Sequence, residues 1–206
     1  MALQPSLRPL IVAGDHNAPH TLDIFLDYVC PYSAKIAKNA IENILRPWFG
    51  PGGKYAGKVK AIIRLQVQPW HASSTLTHEA ALAVVRVSPE NFWPFSLALF
   101  DRQGEYFDIP SSTLTPLQIR EKLAQLAAGV IPPQAVDPFK DLLTLKSTPN
   151  GGVAVTDDLK YTIKFSRQNG IHVSPTVLWD GLVANEISSG WGEKEWSDFL
   201  AAKVTA

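Results

Sequence analysis

The stretch Thr21-Leu22-Asp23-Ile24-Phe25-Leu26-Asp27-Tyr28-Val29-Cys30-Pro31-Tyr32-Ser33 carries the single cysteine of the chain and decides how the rest is read. Leu22, Ile24, Leu26 and Tyr28 alternate with Asp23, Phe25 and Asp27, which predicts a strand, and Phe25 on the second face predicts cover on both sides. Beyond Ser33 the period changes. Ile36, Ala37, Ala40, Ile41, Ile44 and Leu45 recur at helical spacing, so a helix is expected to run to about Arg46, with Pro47 ending it. Pro31 falls in the first turn, where a missing N–H costs nothing. Cys30 is then expected at the positive end of a helix dipole with free backbone N–H groups nearby, which favours thiolate over thiol by about 0.3–2 kcal/mol. A partly exposed nucleophile is one reading of it, and a buried small hydrophobe is the other.

Upstream, residues 9–13 form a short apolar run suited to an edge strand, followed by the turn-rich residues 14–19. Downstream, Gly50-Pro51-Gly52-Gly53 reads as a linker without phosphate-cradle spacing. From Lys58, Val59, Ala61, Ile63, Leu65 and Val67 alternate with Lys60, Arg64, Gln66 and Gln68, a second strand ending at Pro69. A helix between two strands argues for a parallel, right-handed unit.

Residues 73 to about 146 read as helical throughout. Ser88-Pro89 and Thr115-Pro116 are start signals, and Gly129 is a stop. After Thr148-Pro149-Asn150-Gly151-Gly152, Thr156 is expected to cap a helix that closes at Asn169-Gly170. Residues 171–181 then predict a strand entered through Pro175, residues 182–187 its returning partner, and Glu193 to Lys203 a closing helix with Trp196, Phe199 and Leu200 inward. The order is β, α, β, helical block, α, β, β, α: an α/β chain with an inserted helical subdomain over residues 73–150, between parts 1–72 and 151–206.

Lysine plus arginine equal aspartate plus glutamate at 19 each, so no charged tract points to nucleic acid or a membrane surface. The first twelve residues do not read as a secretory signal, and no stretch approaches a membrane span. With one cysteine there is no internal disulfide, which together suggests a reducing compartment, most simply the cytoplasm. His16, His20, His71, His78 and His172 lack ligand spacing, so no metal is expected, and His78 with Glu79 reads as a solvated pair. A hydrolytic triad of Cys30 with one of these histidines has no local signature. The tryptophans default to core packing, and Trp70, between Pro69 and His71 at a strand end, marks a candidate groove.

Three pieces together resemble the DsbA-like branch of the thioredoxin fold: Asn17-Ala18-Pro19 leading into Asp27-Tyr28-Val29-Cys30-Pro31-Tyr32-Ser33, Phe92-Trp93 with Ala98-Leu99-Phe100, and Gly170-Ile171-His172-Val173-Ser174-Pro175-Thr176. The resemblance implies a cis Ser174–Pro175 bond facing Cys30, with the Ser174 backbone free to pair with a bound peptide as an extra strand. An ordinary trans proline at a strand start is the plain alternative. Pro31, Tyr32, Ser174 and Pro175 are then substrate-binding candidates, Tyr32 alternatively just covering the helix start, and Cys30 and Ser33 are the catalytic ones.

Where dithiol members have a second cysteine this chain has Ser33, a C-x-x-S motif that cannot resolve a mixed disulfide but can donate a hydrogen bond to the Cys30 sulfur. The leading expectation is a monothiol thiol-disulfide oxidoreductase, Cys30 attacking a disulfide, glutathione or a peroxide. Its partners would be glutathione, as a co-substrate and not a bound cofactor, or a protein thiol or disulfide. A second expectation is a glutathione-dependent transferase or isomerase, because the architecture is similar to kappa-class glutathione transferases and 2-hydroxychromene-2-carboxylate isomerases, which use a serine near the same helix start. A third is a non-catalytic peptide-binding module. The sequence leaves the oligomeric state open.

Overall fold

A computed structural model describes residues 3–204, so residues 1–2 and 205–206 of the expected terminal parts lie outside the described residues. The chain enters through a 3-10 turn (Pro5–Leu10) into edge strand β1 (Ile11–Ala13), then β2 (His20–Leu26). Helix α1 (Pro31–Ile36) continues as a π-helical segment (Ala37–Leu45) and a last α-helical turn, α2 (Arg46–Phe49). Pro47 therefore does not end the helix. The Arg46 N–H bonds to the Ile41 carbonyl, five residues back, so Pro47's missing N–H falls where the bonding register is changing.

β3 (Val59–Leu65) returns parallel to β2, pairing Ile24 with Ile63 and Leu26 with Leu65. Six α-helices follow before the chain rejoins the sheet, the first five being α3 (Ser74–Val87), α4 (Phe92–Asp101), α5 (Asp108–Ser111), α6 (Pro116–Ala128) and α7 (Pro133–Leu142). The Thr115 start is a full capping box with Gln118, whereas Ser88 opens a 3-10 turn and spends its hydroxyl on Glu90. Next come α8 (Thr156–Gln168), β4 (Thr176–Trp179), β5 (Leu182–Val183) and α9 (Glu193–Lys203). Two expectations shift here. Val155, not Thr156, sits at the cap of α8, with the Thr156 hydroxyl accepting from the Val153 N–H. The hairpin's strands are shorter than the apolar runs because residues 171–175 form a loop and the return pairs only two residues.

The sheet order is β1-β3-β2-β4-β5, with β2 and β3 parallel and the other pairs antiparallel. Every residue of β2 after His20 is buried, which is the two-sided cover that Phe25 called for. Phe25 packs with Ile171, Leu178 and Phe165 on one face, while Leu22, Ile24 and Leu26 join the main cluster that also holds the buried side chains of α3, α4 and α6. His78 and Glu79 lie within that packing and are buried, not a solvated pair. Among the described residues no helix is long and apolar enough to cross a membrane.

Candidate active site around Cys30

The site grows from Asp27, the first residue past β2. Its Oδ1 accepts the Val29 N–H at 2.7 Å, folding the chain back on itself in the two residues before Cys30. Its Oδ2 accepts the Gln68 N–H at 2.8 Å, the Ser74 hydroxyl at 2.9 Å and the His71 Nδ1–H at 3.2 Å. A carboxylate with no solvent exposure is tolerable only with such a complement of donors. Those donors tie the exit of β2 to the segment joining β3 and α3. Gln68 passes the constraint on, because its Oε1 accepts the Ser174 N–H at 2.7 Å, and Gln66 Nε2 donates to the Ile171 carbonyl at 3.3 Å. Two glutamines at the exit of β3 thus hold the loop that contains the cis Ser174–Pro175 bond.

Cys30 is the N-cap of α1, extended at φ −85° and ψ 120°, and its carbonyl accepts the Ala34 N–H. Gln103 holds it from the helical block, donating to the Tyr28 carbonyl at 2.9 Å and the Cys30 carbonyl at 3.3 Å. The thiol donates to the Ser174 carbonyl at 3.3 Å, so the sulfur and the cis-proline loop face each other as the resemblance implied. Cys30 is not partly exposed, however: only 4% of its surface is open, because the Ser174 carbonyl covers the sulfur. The Ser174 backbone is also not free for an added strand, since Gln68 occupies its N–H and the thiol its carbonyl.

Ser33 is fully buried, and its hydroxyl oxygen accepts the Asp27 N–H at 3.1 Å; no bond from it to the Cys30 sulfur occurs among the described residues. Pro31 and Tyr32 lie on the surface, Tyr32 at 64% exposure; Trp70 and Val173 are exposed as well, Trp70 with its ring against His71. An open cleft of about 410 Å³ beside the site is lined by Val29, Pro31, His71, Phe107 and Ile109. Trp70 therefore does stand by a groove, though His71 lines it. Beneath the site Tyr28 donates to Ser96, which donates to the Phe92 carbonyl, and burial holds the Tyr28 phenol well above its ordinary pKa, neutral. No group of three or more His, Cys, Asp or Glu that could hold a metal occurs among the described residues.

Asp27, Gln66, Gln68, Ser74 and Gln103 are the site residues that the sequence does not single out, and His71 enters there only as a metal ligand or triad partner without supporting spacing. Asp27, Gln66 and Gln68 read as polar beats of two strands, and only their positions just at or past the strand ends set them apart.

A five-stranded sheet that delivers a cysteine to a helix start opposite a cis-proline loop, with helices inserted before the last strands, defines a thioredoxin-fold protein of the DsbA-like type. A thioredoxin family model matches residues 8–190, and the chain belongs to that family. It is similar to the crystal structure of a candidate protein-disulfide isomerase from Pseudomonas syringae, with 25% identity, a TM-score of 0.70, and coverage of 95% of this chain and 99% of that one. The MdbA thiol-disulfide oxidoreductase from Actinomyces oris aligns at 17% identity and TM-score 0.59 over 92% of this chain and 83% of its own. DsbA from Chlamydia trachomatis aligns at 14% and 0.58 over 92% and 89%. The last two likenesses concern the fold alone. No curated protein matches the chain.

Proposed function

We infer that the chain is a monothiol thiol-disulfide oxidoreductase in which Cys30 is the nucleophile. The observation that carries this is the Cys30 sulfur lying 3.3 Å from the Ser174 carbonyl, beside the cis proline and at the head of α1. The Pseudomonas syringae relative, described as a candidate protein-disulfide isomerase, supports the same chemistry. The Cys30 thiolate attacks one sulfur of a disulfide, the other sulfur leaves as a thiolate, and a mixed disulfide remains on Cys30. Ser33 cannot expel the bound group, so an external thiol completes the cycle, glutathione or a protein thiol serving as substrate and not as a bound cofactor. A cytoplasmic setting, where such thiols are kept reduced, suits this cycle. Val29, Pro31, Phe107 and Ile109 give the substrate an apolar cleft wall to rest on, and access to the sulfur requires the Ser174 carbonyl to yield.

The test is exposure to oxidised glutathione followed by mass spectrometry of the intact chain. One glutathione on Cys30 of the native protein and none on Cys30→Ser is expected. A folded native protein that takes up no adduct overturns the assignment, and reduced glutathione turned over equally by Cys30→Ser would replace it with a transferase or isomerase.

A further inference from the structure

Asp27 and His71 are placed to do more than hold the loop. His71 Nδ1 lies 3.2 Å from Asp27 Oδ2 and 3.4 Å from Gln68 Nε2; the carboxylate is the nearer neighbour and only accepts, so Nδ1 is assigned the proton and donates to Asp27, the Gln68 amide making no bond to it, while Nε2 makes no hydrogen bond among the described residues. The side chain is 19% exposed, so it reaches solvent, and it lines the cleft together with Val29 and Pro31, the two neighbours of Cys30. The remaining walls are apolar, Phe107, Ile109 and Pro110, apart from Asp108. An imidazole fixed through Nδ1 by a buried carboxylate, with its other nitrogen open to a cleft, is the arrangement of a general base. Nothing in the attack by Cys30 uses it.

We propose that His71 is the general base for the external thiol that resolves the Cys30 mixed disulfide, replacing the internal thiolate that Ser33 cannot supply. This rests on Cys30 being the nucleophile. The incoming thiol gives its proton to His71 Nε2, and the resulting thiolate attacks the substrate sulfur of the mixed disulfide. A new disulfide forms between the two external groups, the bond to Cys30 breaks, and its electron pair stays on the Cys30 sulfur. The imidazolium then returns its proton to that sulfur or to water. The external thiol is oxidised and Cys30 is reduced. Asp27 acts through His71 as a positioning residue, fixing which nitrogen carries the proton.

The experiment compares native protein with His71→Asn, whose amide keeps an N–H where Nδ1–H was and so preserves the bond to Asp27 while removing Nε2. Both are loaded with glutathione on Cys30, and loss of the adduct to 2-mercaptoethanol is timed by mass spectrometry at two pH values: neutral pH, where the thiol is protonated, and a pH above the ordinary thiol pKa, where it is already ionised. His71→Asn is expected to slow resolution about 10²-fold at neutral pH and to leave resolution by the ionised thiol unchanged. A purely structural histidine predicts equal rates for both proteins, or equal slowing at both pH values, and either result overturns the base. If the native protein takes up no glutathione, the nucleophile and the base fall together; if it loads normally and only the pH dependence is missing, the base alone falls.

Discussion

Two aspartates four residues apart, Asp23 and Asp27, are both completely buried, yet they are treated in opposite ways. Asp27 receives four donors from four residues and knits the exit of β2 to the stretch joining β3 and α3 at the head of the site. Asp23 has a single partner, Arg64, at 2.7 Å; its Oδ2 and Arg64 Nη2 are buried without partners, and the guanidinium instead stacks on Phe165 at 4.4 Å. One carboxylate is wired into its surroundings, and the other is neutralised with minimum means. The difference teaches that burial of a charge says little by itself, whereas the number and origin of its donors separate an organising residue from a tolerated pair.

The sharpest way to break this contrast is to remove each acceptor. Asp27→Ala leaves the Val29 and Gln68 N–H groups and the Ser74 hydroxyl without their acceptor, at about 1–3 kcal/mol for each orphaned donor and with incomplete additivity. A loss of about 4 kcal/mol or more is expected by urea unfolding, accompanied by loss of glutathione uptake at Cys30. A loss below about 1 kcal/mol would mean that water replaces the carboxylate and that the site is not organised by it. Arg64→Met should cost about 3 kcal/mol, because it strands the Asp23 charge, while the double change Asp23→Leu with Arg64→Met should come out near neutral. A double variant as unstable as the single one would show that Asp23 has organising work of its own.

Much of this was legible in residues 21–33. The change of period at Ser33 marked the strand-to-helix turn, and the parallel return at Lys58 to Gln68 followed from the helix between the strands. What escaped was whatever depends on contacts between distant segments. Gln66 and Gln68 look like solvent-facing beats of a strand until the loop at 171–175, over a hundred residues away, folds against them. Cys30 looked accessible because a helix start is usually open, and only that loop's arrival closes it. His78 and Glu79 look like surface charge because local periodicity does not reveal that α4, α6, α7 and α8 surround α3.

Gln68 offers a smaller test of how far the Asp27 wiring reaches. Gln68→Ala leaves the Ser174 N–H buried without its acceptor, at about 2 kcal/mol. It also frees the loop whose carbonyl covers the sulfur, so Cys30 should react faster with iodoacetamide than in the native protein. Unchanged stability and unchanged alkylation would show that the loop is held elsewhere.

The smallest effect concerns a third buried carboxylate, intermediate between the two. Glu79 on α3 is met by Arg120 through both Nε, at 3.2 Å, and Nη2, at 2.7 Å, with no other side-chain donor among the described residues. Burial is the larger influence and pushes its pKa above 4.5, with the Arg120 hydrogen bonds and charge pulling it back down. A carboxyl that binds its proton more tightly folded than unfolded adds stability fully present below pH 4.5 and lost as the pH rises through the folded value. Between neutral pH and 4.5, native protein should therefore gain on acidification relative to Glu79→Gln, whose amide cannot titrate. Arg120 retains some contact with water, so the difference should be smaller than any of the losses above, read as the change in urea midpoint between the two pH values. Equal slopes would mean that Arg120 compensates the Glu79 charge in full. A larger difference would mean that the charge is buried at a cost that one arginine does not cover.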